Sequence, residues 1–393
     1  MREVDIRLLE LNLFVVGDAR SVETWSGLPS GLLRGLETQG IQVNVVDLAA
    51  NMRLESAYNF LRGHVLRWLH LEMEPQFLLS PLNRLRASWV IWRACRRYGR
   101  ADVNLFLSFE FASRGLSRVP YAMYCDTTFW EALLKEPRRR LRRYEARRLR
   151  NEVANLRGAA LVMATNQHAV THIRERVGVD RLMAGPVYGV NLTGYQPPSA
   201  DSLDEKARSL NLLFIGSHWV NRGGDILVEA LRKLNQGRAN PLTLHVVGFE
   251  SPPPGCEDRN VVWHGRLRKD VPDDAREYWG LWAAARMLVM PLRTGPLPGV
   301  VAEAQYLGTP VVVGNCWSAD QLVGNRETGI LVDGSCPDDY ASAIEELLSD
   351  TDLWQRLVYR GQRRADEYSW ATVAEKMIRA MSALSSTSGG RRG

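Results

Sequence analysis

The sequence predicts an α/β protein built from two doubly wound domains facing a central cleft. Three observations carry this prediction. Short apolar runs closed by Gly alternate with helical stretches along most of the chain. The length of 393 residues exceeds one ordinary core and suits two domains. A polar stretch holding Gly194, Pro197 and Pro198 interrupts the alternation near the middle, at Gly189–Ala207.

The elements follow in order. Leu11–Gly17 is a short apolar run stopped by Gly, hence a buried strand. Leu28–Thr38 is helical in pattern and ends before Gly40. Ile41–Leu48 is a second strand, and strand–helix–strand at this spacing implies a parallel pair. Ser56–Tyr98 is helical and rich in Trp and Arg. Strands resume at Val103–Phe109, Tyr121–Cys125 and Ala160–Thr165, with an Arg-rich helix between the last two. After the linker come strands at Leu210–Gly216, Leu242–Gly248, Val261–Gly265, Met287–Leu292, Pro310–Gly314 and Gly329–Asp333. Asp273-Asp274 and Asp338-Asp339 read as helix N-terminal acids rather than metal ligands. The expected organisation is a domain over 1–190, a linker over 191–209, and a domain over 210–365. A terminal helix over 366–384 and a disordered tail over 385–393 complete it.

Composition narrows the function classes. Hydrophobic residues make up 45% and charged residues 24%, which excludes a disordered chain, a collagen-like repeat and a disulfide miniprotein. No apolar run approaches the roughly 20 residues that span a bilayer. Met1–Glu10 is too charged, and the run after it too short, for a secretory signal. Five scattered cysteines without CxxC spacing imply a reducing, cytoplasmic setting. The net charge is +6, and Arg138–Arg150 contains eight arginines and one acid. Such a run suits an anionic partner, or else is a solvated helix face. Trp68, Trp89 and Trp92 stand among Arg67, Arg93 and Arg96. They mark an interfacial amphipathic region, or packing helices with snorkelling arginines.

Two segments carry chemistry. In Phe214–Leu231 a strand ends at Gly216, and Gly223-Gly224 open a helix just after Arg222. Glycines admit a ligand to the backbone, a helix N-terminus attracts anions, and Arg binds phosphate bidentately. In Pro291–Asn315 a loop from Gly295 to Gly299 follows a strand and leads into a helix. The amides of Gly299, Val300 and Val301 would face an anion, and Glu303 could accept from a ribose diol.

These two segments, in this order, resemble the donor-binding domain of retaining glycosyltransferases of family 4, the group 1 type. EAQYLGTPVV (Glu303–Val312) is similar to the family's "EA-x-x-x-G-x-PVV", and WVNRGG (Trp219–Gly224) to its "KGG" segment. PVYGVNL (Pro186–Leu192) resembles the crossover into the second domain. DDYASAIEELLSD (Asp338–Asp350) and EYSW (Glu367–Trp370) resemble the late helices. In the N-terminal half, TWSGLPSGLLRGL (Thr24–Leu36) and YAMYCDTTFW (Tyr121–Trp130) are similar to the family's first glycine loop and to a "Y-x-D-x-T-F" stretch.

The resemblance implies the GT-B architecture, two Rossmann-like domains, and retaining, metal-independent sugar transfer. The donor would be a UDP- or GDP-linked sugar, with no other cofactor, and the acceptor a glycan or a lipid-linked glycan. It places the diphosphate on Arg222 and the Gly299–Val301 amides, beside Gly216, Ser217 and Gly223. Glu303 would bind the ribose. The base would rest near His264, Gly265 and Leu267, and the sugar would point toward Gly27 and Asp126. Asp126 and Arg222 are the catalytic candidates. A peripheral position on the inner, anionic face of a membrane is a further expectation, and no nucleic-acid motif is present.

Three positions depart from the family pattern. Gly295 stands where the first Glu of "E-x7-E" belongs, Ser217 where the "VGR" Arg belongs, and Cys125 where the N-domain His belongs. His218 and Arg293 flank the first two slots as substitutes. The alternative reading is a non-catalytic relative that acts as a binding or scaffold protein.

Overall fold

The structure, a computed structural model, describes residues 10–49, 52–69, 77–134, 141–185, 189–192, 195, 200–295, 297–317 and 319–388. It divides into two units. Unit 1 takes Met1–Val187 together with Trp370–Gly393, and unit 2 takes Tyr188–Ser369.

Unit 1 contains β1 (Glu10–Val15), α1 (Leu28–Thr38), β2 (Gln42–Asp47), α2 (Met52–Leu69), α3 (Pro81–Arg97), β3 (Val103–Phe106) and β4 (Tyr121–Cys125). It continues through α4 (Phe129–Leu134), α5 (Arg143–Gly158), β5 (Leu161–Ala164), α6 (Gln167–Val177) and β6 (Leu182–Ala184). All its strands are parallel, in the order β2-β1-β3-β4-β5-β6. Leu13, Leu105, Met123 and Val162 are fully buried in neighbouring strands, as a sheet covered on both faces requires.

Unit 2 contains α7 (Ala200–Arg208), β7 (Asn211–Ile215), α8 (Trp219–Arg222), α9 (Gly224–Asn235), β8 (Thr243–Val247), β9 (Val261–Trp263), α10 (Pro272–Ala284) and β10 (Met287–Met290). Then come α11 (Gly299–Tyr306), β11 (Val311–Gly314), α12 (Ala319–Leu322), β12 (Ile330–Val332), α13 (Pro337–Ser349) and α14 (Thr351–Ala365). Its parallel sheet runs β12-β11-β10-β7-β8-β9. Helix α9 packs on α13 over a core that includes Leu227, Leu231, Tyr340 and Ile344.

The last helix, α15 (Trp370–Ser388), belongs to unit 1 and packs on α1. The contact depends on two residues without side chains. A Cβ on Gly31 would stand 2.1 Å from the Trp370 indole, and one on Gly35 would stand 2.3 Å from the Trp370 carbonyl oxygen.

The structure differs from the sequence reading in four places. Strand β6 was not foreseen, because three residues give no readable period. The 191–209 stretch is not plain linker: it carries α7, whose Lys206 is buried. Helix α15 runs on to Ser388, into the segment expected as tail, and residues 389–393 lie outside the described ones. The Arg138–Arg150 run is not uniformly solvated. Residues 138–140 lie outside the described residues, whereas Arg148 donates to Glu110 and lies 3.7 Å over the Phe129 ring.

Candidate active site

Counted from its own first strand, unit 2 has the order 3-2-1-4-5-6, so the strand order reverses between β7 and β10. Ligands of doubly wound sheets bind beyond the carboxyl ends of strands at such a reversal. The two motif loops follow β7 and β10, one on each side of it.

After β7, Gly216, Ser217 and His218 lead into the short helix α8, and Arg222 is its last residue. Gly223 then adopts φ 73°, caps α8 and begins α9. A Cβ on Gly223 would lie 2.0 Å from the carbonyl oxygen of Pro291, just past β10. The first loop therefore rests directly on the second, an approach that needs glycine. A second contact of this kind in unit 2 was missed in the sequence. A Cβ on Gly248 would lie 1.9 Å from the Gly216 carbonyl oxygen, and Gly248 donates its N–H to Gly265 at 2.7 Å. Gly216 and Gly248 thus bring the chain ends past β7 and β8 into close backbone contact, while the Glu250 carboxyl lies 2.7 Å from where a Cβ on Gly265 would stand. The signal was present, since each glycine closes an apolar run.

In the second loop, Pro298 precedes α11 without a side-chain cap. No described residue accepts from the N–H groups of Gly299 or Val300, but Val301 donates to the Pro298 carbonyl at 3.0 Å. Val301 was expected to point its amide at a ligand; the first turn already uses it. Arg293 was read as a substitute flanking the vacant slots. Instead its guanidinium grips Asp225 in two hydrogen bonds of 2.7 Å and donates to the Val220 carbonyl. That contact lowers the Asp225 carboxyl pKa and raises that of Arg293. Ser217 Oγ and His218 Nδ1 hydrogen-bond to each other at 3.0 Å. At the vacant glutamate slot, the Gly295 carbonyl accepts from the Cys316 thiol at 3.4 Å. Burial pushes that thiol up to about 11, while the Arg222 charge pulls the other way.

Glu303 is buried, and both its oxygens already have partners. Oε1 accepts from Lys269 Nζ at 2.6 Å and Oε2 from the Tyr278 hydroxyl at 2.9 Å. Lys269 also donates to the Asn191 carbonyl and lies over the rings of Tyr278 and Trp279. Sequence gave no sign of this pairing, because Lys269 lies 34 positions away. An ionised carboxylate has about four acceptor sites, so two remain for a diol.

His264 follows β9 and is not isolated. Its Nδ1 lies 2.6 Å from Glu277 Oε1 and its Nε2 lies 2.9 Å from His245 Nδ1. Burial, then the neighbouring His264, lowers the His245 pKa. Gly265 and the half-buried Leu267 continue this loop.

Unit 1 reverses its strand order between β1 and β3. Past β1, the turn Thr24–Gly27 holds Trp25 and Ser26 in left-handed backbone, and Gly27 caps α1. Non-glycine residues there are strained by roughly 1–3 kcal/mol each and cluster at functional sites. Asp126 follows β4, accepts weakly from the Cys125 thiol at 3.5 Å, and is held through its carbonyl by Asn166 Nδ2 at 2.8 Å. Burial, with Asp126 adding, pushes the Cys125 thiol well above its ordinary pKa. Glu131, fully buried, clamps the same turn by accepting from the Thr128 N–H at 2.7 Å and from the Thr127 and Thr128 hydroxyls. Its other oxygen stands 3.6 Å from His168 Nε2.

Among the described residues, no cluster of three or more His, Cys, Asp or Glu could hold a metal, and no helix is long and apolar enough to cross a membrane.

The chain is similar to known proteins. Residues 209–350 match the family model "Glycosyl transferases group 1". The D-inositol 3-phosphate glycosyltransferase of Jonesia denitrificans is 29% identical over 209 residues, 48% of this chain and 49% of that one. The protein of that name from Paenarthrobacter aurescens is 28% identical over 246 residues, 58% of each chain. The chain thus spans about half the length of the curated relatives it matches. Among solved structures, sucrose-phosphate synthase from Thermosynechococcus elongatus superimposes with a TM-score of 0.71 at 18% identity, over 96% of this chain and 100% of that one. HepE of Anabaena, solved in complex with UDP-glucose, gives 0.64 at 18% identity, over 95% of this chain and 100% of that one. The chain carries a group 1 glycosyltransferase domain over residues 209–350, within the GT-B fold of these neighbours.

Proposed function

We propose that the protein is a retaining, metal-independent glycosyltransferase. It moves a hexose from a UDP- or GDP-linked donor to a glycan or lipid-linked acceptor. A lipid-linked acceptor would place it at the inner face of a membrane as a peripheral protein. The observation that carries the reading is the meeting of the two motif loops at the strand-order reversal of unit 2, with Gly223 seated on Pro291.

In this reading Arg222 and the N–H groups of Gly299 and Val300 bind the diphosphate. They stabilise the negative charge that grows as the anomeric C–O bond breaks. The acceptor hydroxyl attacks the sugar on the side the diphosphate leaves, and its proton passes to the departing phosphate oxygen. No enzyme carboxylate forms a covalent bond. Glu303, oriented by Lys269 and Tyr278, accepts from the ribose hydroxyls. The nucleoside lies past β9, with His264, Gly265 and Leu267 toward the base. Gly27 and Asp126 serve the sugar and acceptor side.

A second reading, a non-catalytic binding protein, is favoured by Gly295 and by the capture of Arg293 on Asp225. A thermal-shift panel of UDP, GDP, ADP and CMP on the wild type, Arg222→Ala and Glu303→Ala separates the two. A stabilisation by one nucleotide that both variants lose is expected, its size set by ligand excess over Kd. No shift with any nucleotide would overturn the donor site.

A further inference from the structure

Helix α3 has two opposed faces. Its inward face buries Ala87, Ile91, Ala94 and Cys95. At 100° per residue, Leu82, Leu85, Trp89, Trp92, Arg93 and Arg96 all fall within an arc of about 100° on the other side. The large apolar members of that arc are exposed, Leu85 by 72% and Trp89 by 54%. Single exposed apolar residues are ordinary, but a continuous stripe of four marks an interaction surface. The sequence left open whether these tryptophans pack inward, and their exposure decides against that for Trp89 and Trp92. The side chain of Trp68 lies outside the described ones.

The charges identify the partner. Helix α3 contains no Asp or Glu. The Arg93 guanidinium lies 5.4 Å over the Trp89 ring and that of Arg96 lies 4.7 Å over Trp92. No described carboxylate forms an ion pair with Arg93, Arg96 or Arg97. The same stripe on a second copy would offer no counter-ion for these charges. A bilayer offers apolar depth for leucine, an interfacial zone for tryptophan, and phosphates at the level of the arginines.

We propose that the Leu82–Arg96 stripe of α3 docks the protein on a bilayer bearing anionic headgroups. The indoles lie at the interface and the stacked guanidiniums face lipid phosphates. The proposal rests on the peripheral membrane position proposed above and names the surface that provides it; it concerns unit 1 alone, so its failure leaves the donor site untouched.

The test is flotation of the full chain with vesicles of phosphatidylglycerol and phosphatidylcholine in equal parts, and with phosphatidylcholine alone. Binding to the first set is expected, weakened by salt. Trp89→Ala combined with Trp92→Ala should lower the partition coefficient roughly tenfold or more, and Arg93→Glu with Arg96→Glu further still. All four side chains point outward, so thermal midpoints should stay at the wild-type value, which checks folding. Tyr359 is also exposed, with Arg363 5.7 Å over its ring, on a helix of unit 2. Tyr359→Ala with Arg363→Glu should leave flotation unchanged. Equal absence from both vesicle sets overturns the proposal, as does binding that the α3 variants do not weaken. A concentration-dependent dimer, lost in the α3 variants and without vesicle binding, overturns it in favour of a second copy.

Discussion

Gly223→Ala offers a sharp test of the way the two motif loops are joined, because unit 2 supplies its own control. Gly223 and Gly237 have almost the same φ, 73° and 74°. At Gly237 an added Cβ meets nothing within 4 Å, whereas at Gly223 it lies 2.0 Å from the Pro291 carbonyl oxygen. Alanine in left-handed backbone costs about 1 kcal/mol, and Gly237→Ala should lose that and no more. A comfortable contact between carbon and oxygen is about 3.2 Å, so Gly223→Ala forces the loops apart by about 1.2 Å. Overpacking of that kind costs about 2–3 kcal/mol beyond the backbone term. Urea unfolding of both variants beside the wild type reads the difference. Nucleotide titration reads its consequence, a loss of affinity in Gly223→Ala alone. Equal destabilisation by the two variants would refute the claim that contact with Pro291, rather than backbone conformation, demands glycine here.

Three further outcomes are expected. Burial, opposed by the Phe129 N–H it accepts, raises Glu152 from 4.5 to about 7. The folded state then holds a proton that the unfolded state has lost, so stability falls as pH rises from about 4.5 to 7. Glu152→Gln should remove that slope and gain up to about 3 kcal/mol at pH 8, read by denaturant unfolding across pH. Lys206 donates to Thr309 Oγ1 at 2.6 Å and to the Leu307 carbonyl, and burial lowers its pKa to about 7. Here the unfolded state binds the extra proton between pH 7 and 10.5, so stability rises with pH across that window; Lys206→Met should flatten the rise, as thermal melts at pH 7 and 9 would show. Asp225→Ala should leave the Arg293 guanidinium held only by the Val220 carbonyl and strengthen diphosphate binding severalfold with a steeper salt dependence; calorimetry showing unchanged affinity would mean that Arg293 does not reach the ligand.

The legible parts of the molecule were those written in local pattern. Strands such as Leu11–Gly17 and Leu242–Gly248 are apolar runs closed by Gly, and they gave both sheets. The loop after β7 was readable because Gly223-Gly224 stand beside Arg222 at a strand-to-helix junction. What could not be read depends on residues distant in sequence. Glu303 looked like a lone acid until Lys269 and Tyr278 were brought against it from the loop before α10 and from α10 itself. Arg293 looked available until the fold set it on Asp225. Lys206, a polar residue in an apparent linker, is buried by its packing beneath the end of α11, which no window of sequence contains. Helix α3 was ambiguous for another reason, since Trp and Arg interleave on both inward and outward helix faces until the neighbouring elements are known.

The packing of α15 on Gly31 and Gly35 has a consequence for biosynthesis. Unit 2 is one continuous stretch of chain, whereas unit 1 is assembled from two stretches separated by the whole of unit 2. During translation the face of α1 that receives Trp370 must wait until α15 has left the ribosome. Unit 2 can therefore complete itself first, while the earlier-made half stays open along one side. A truncation before Trp370 would leave the nascent product in that open condition permanently, with a bare glycine-lined furrow available to chaperones and proteases.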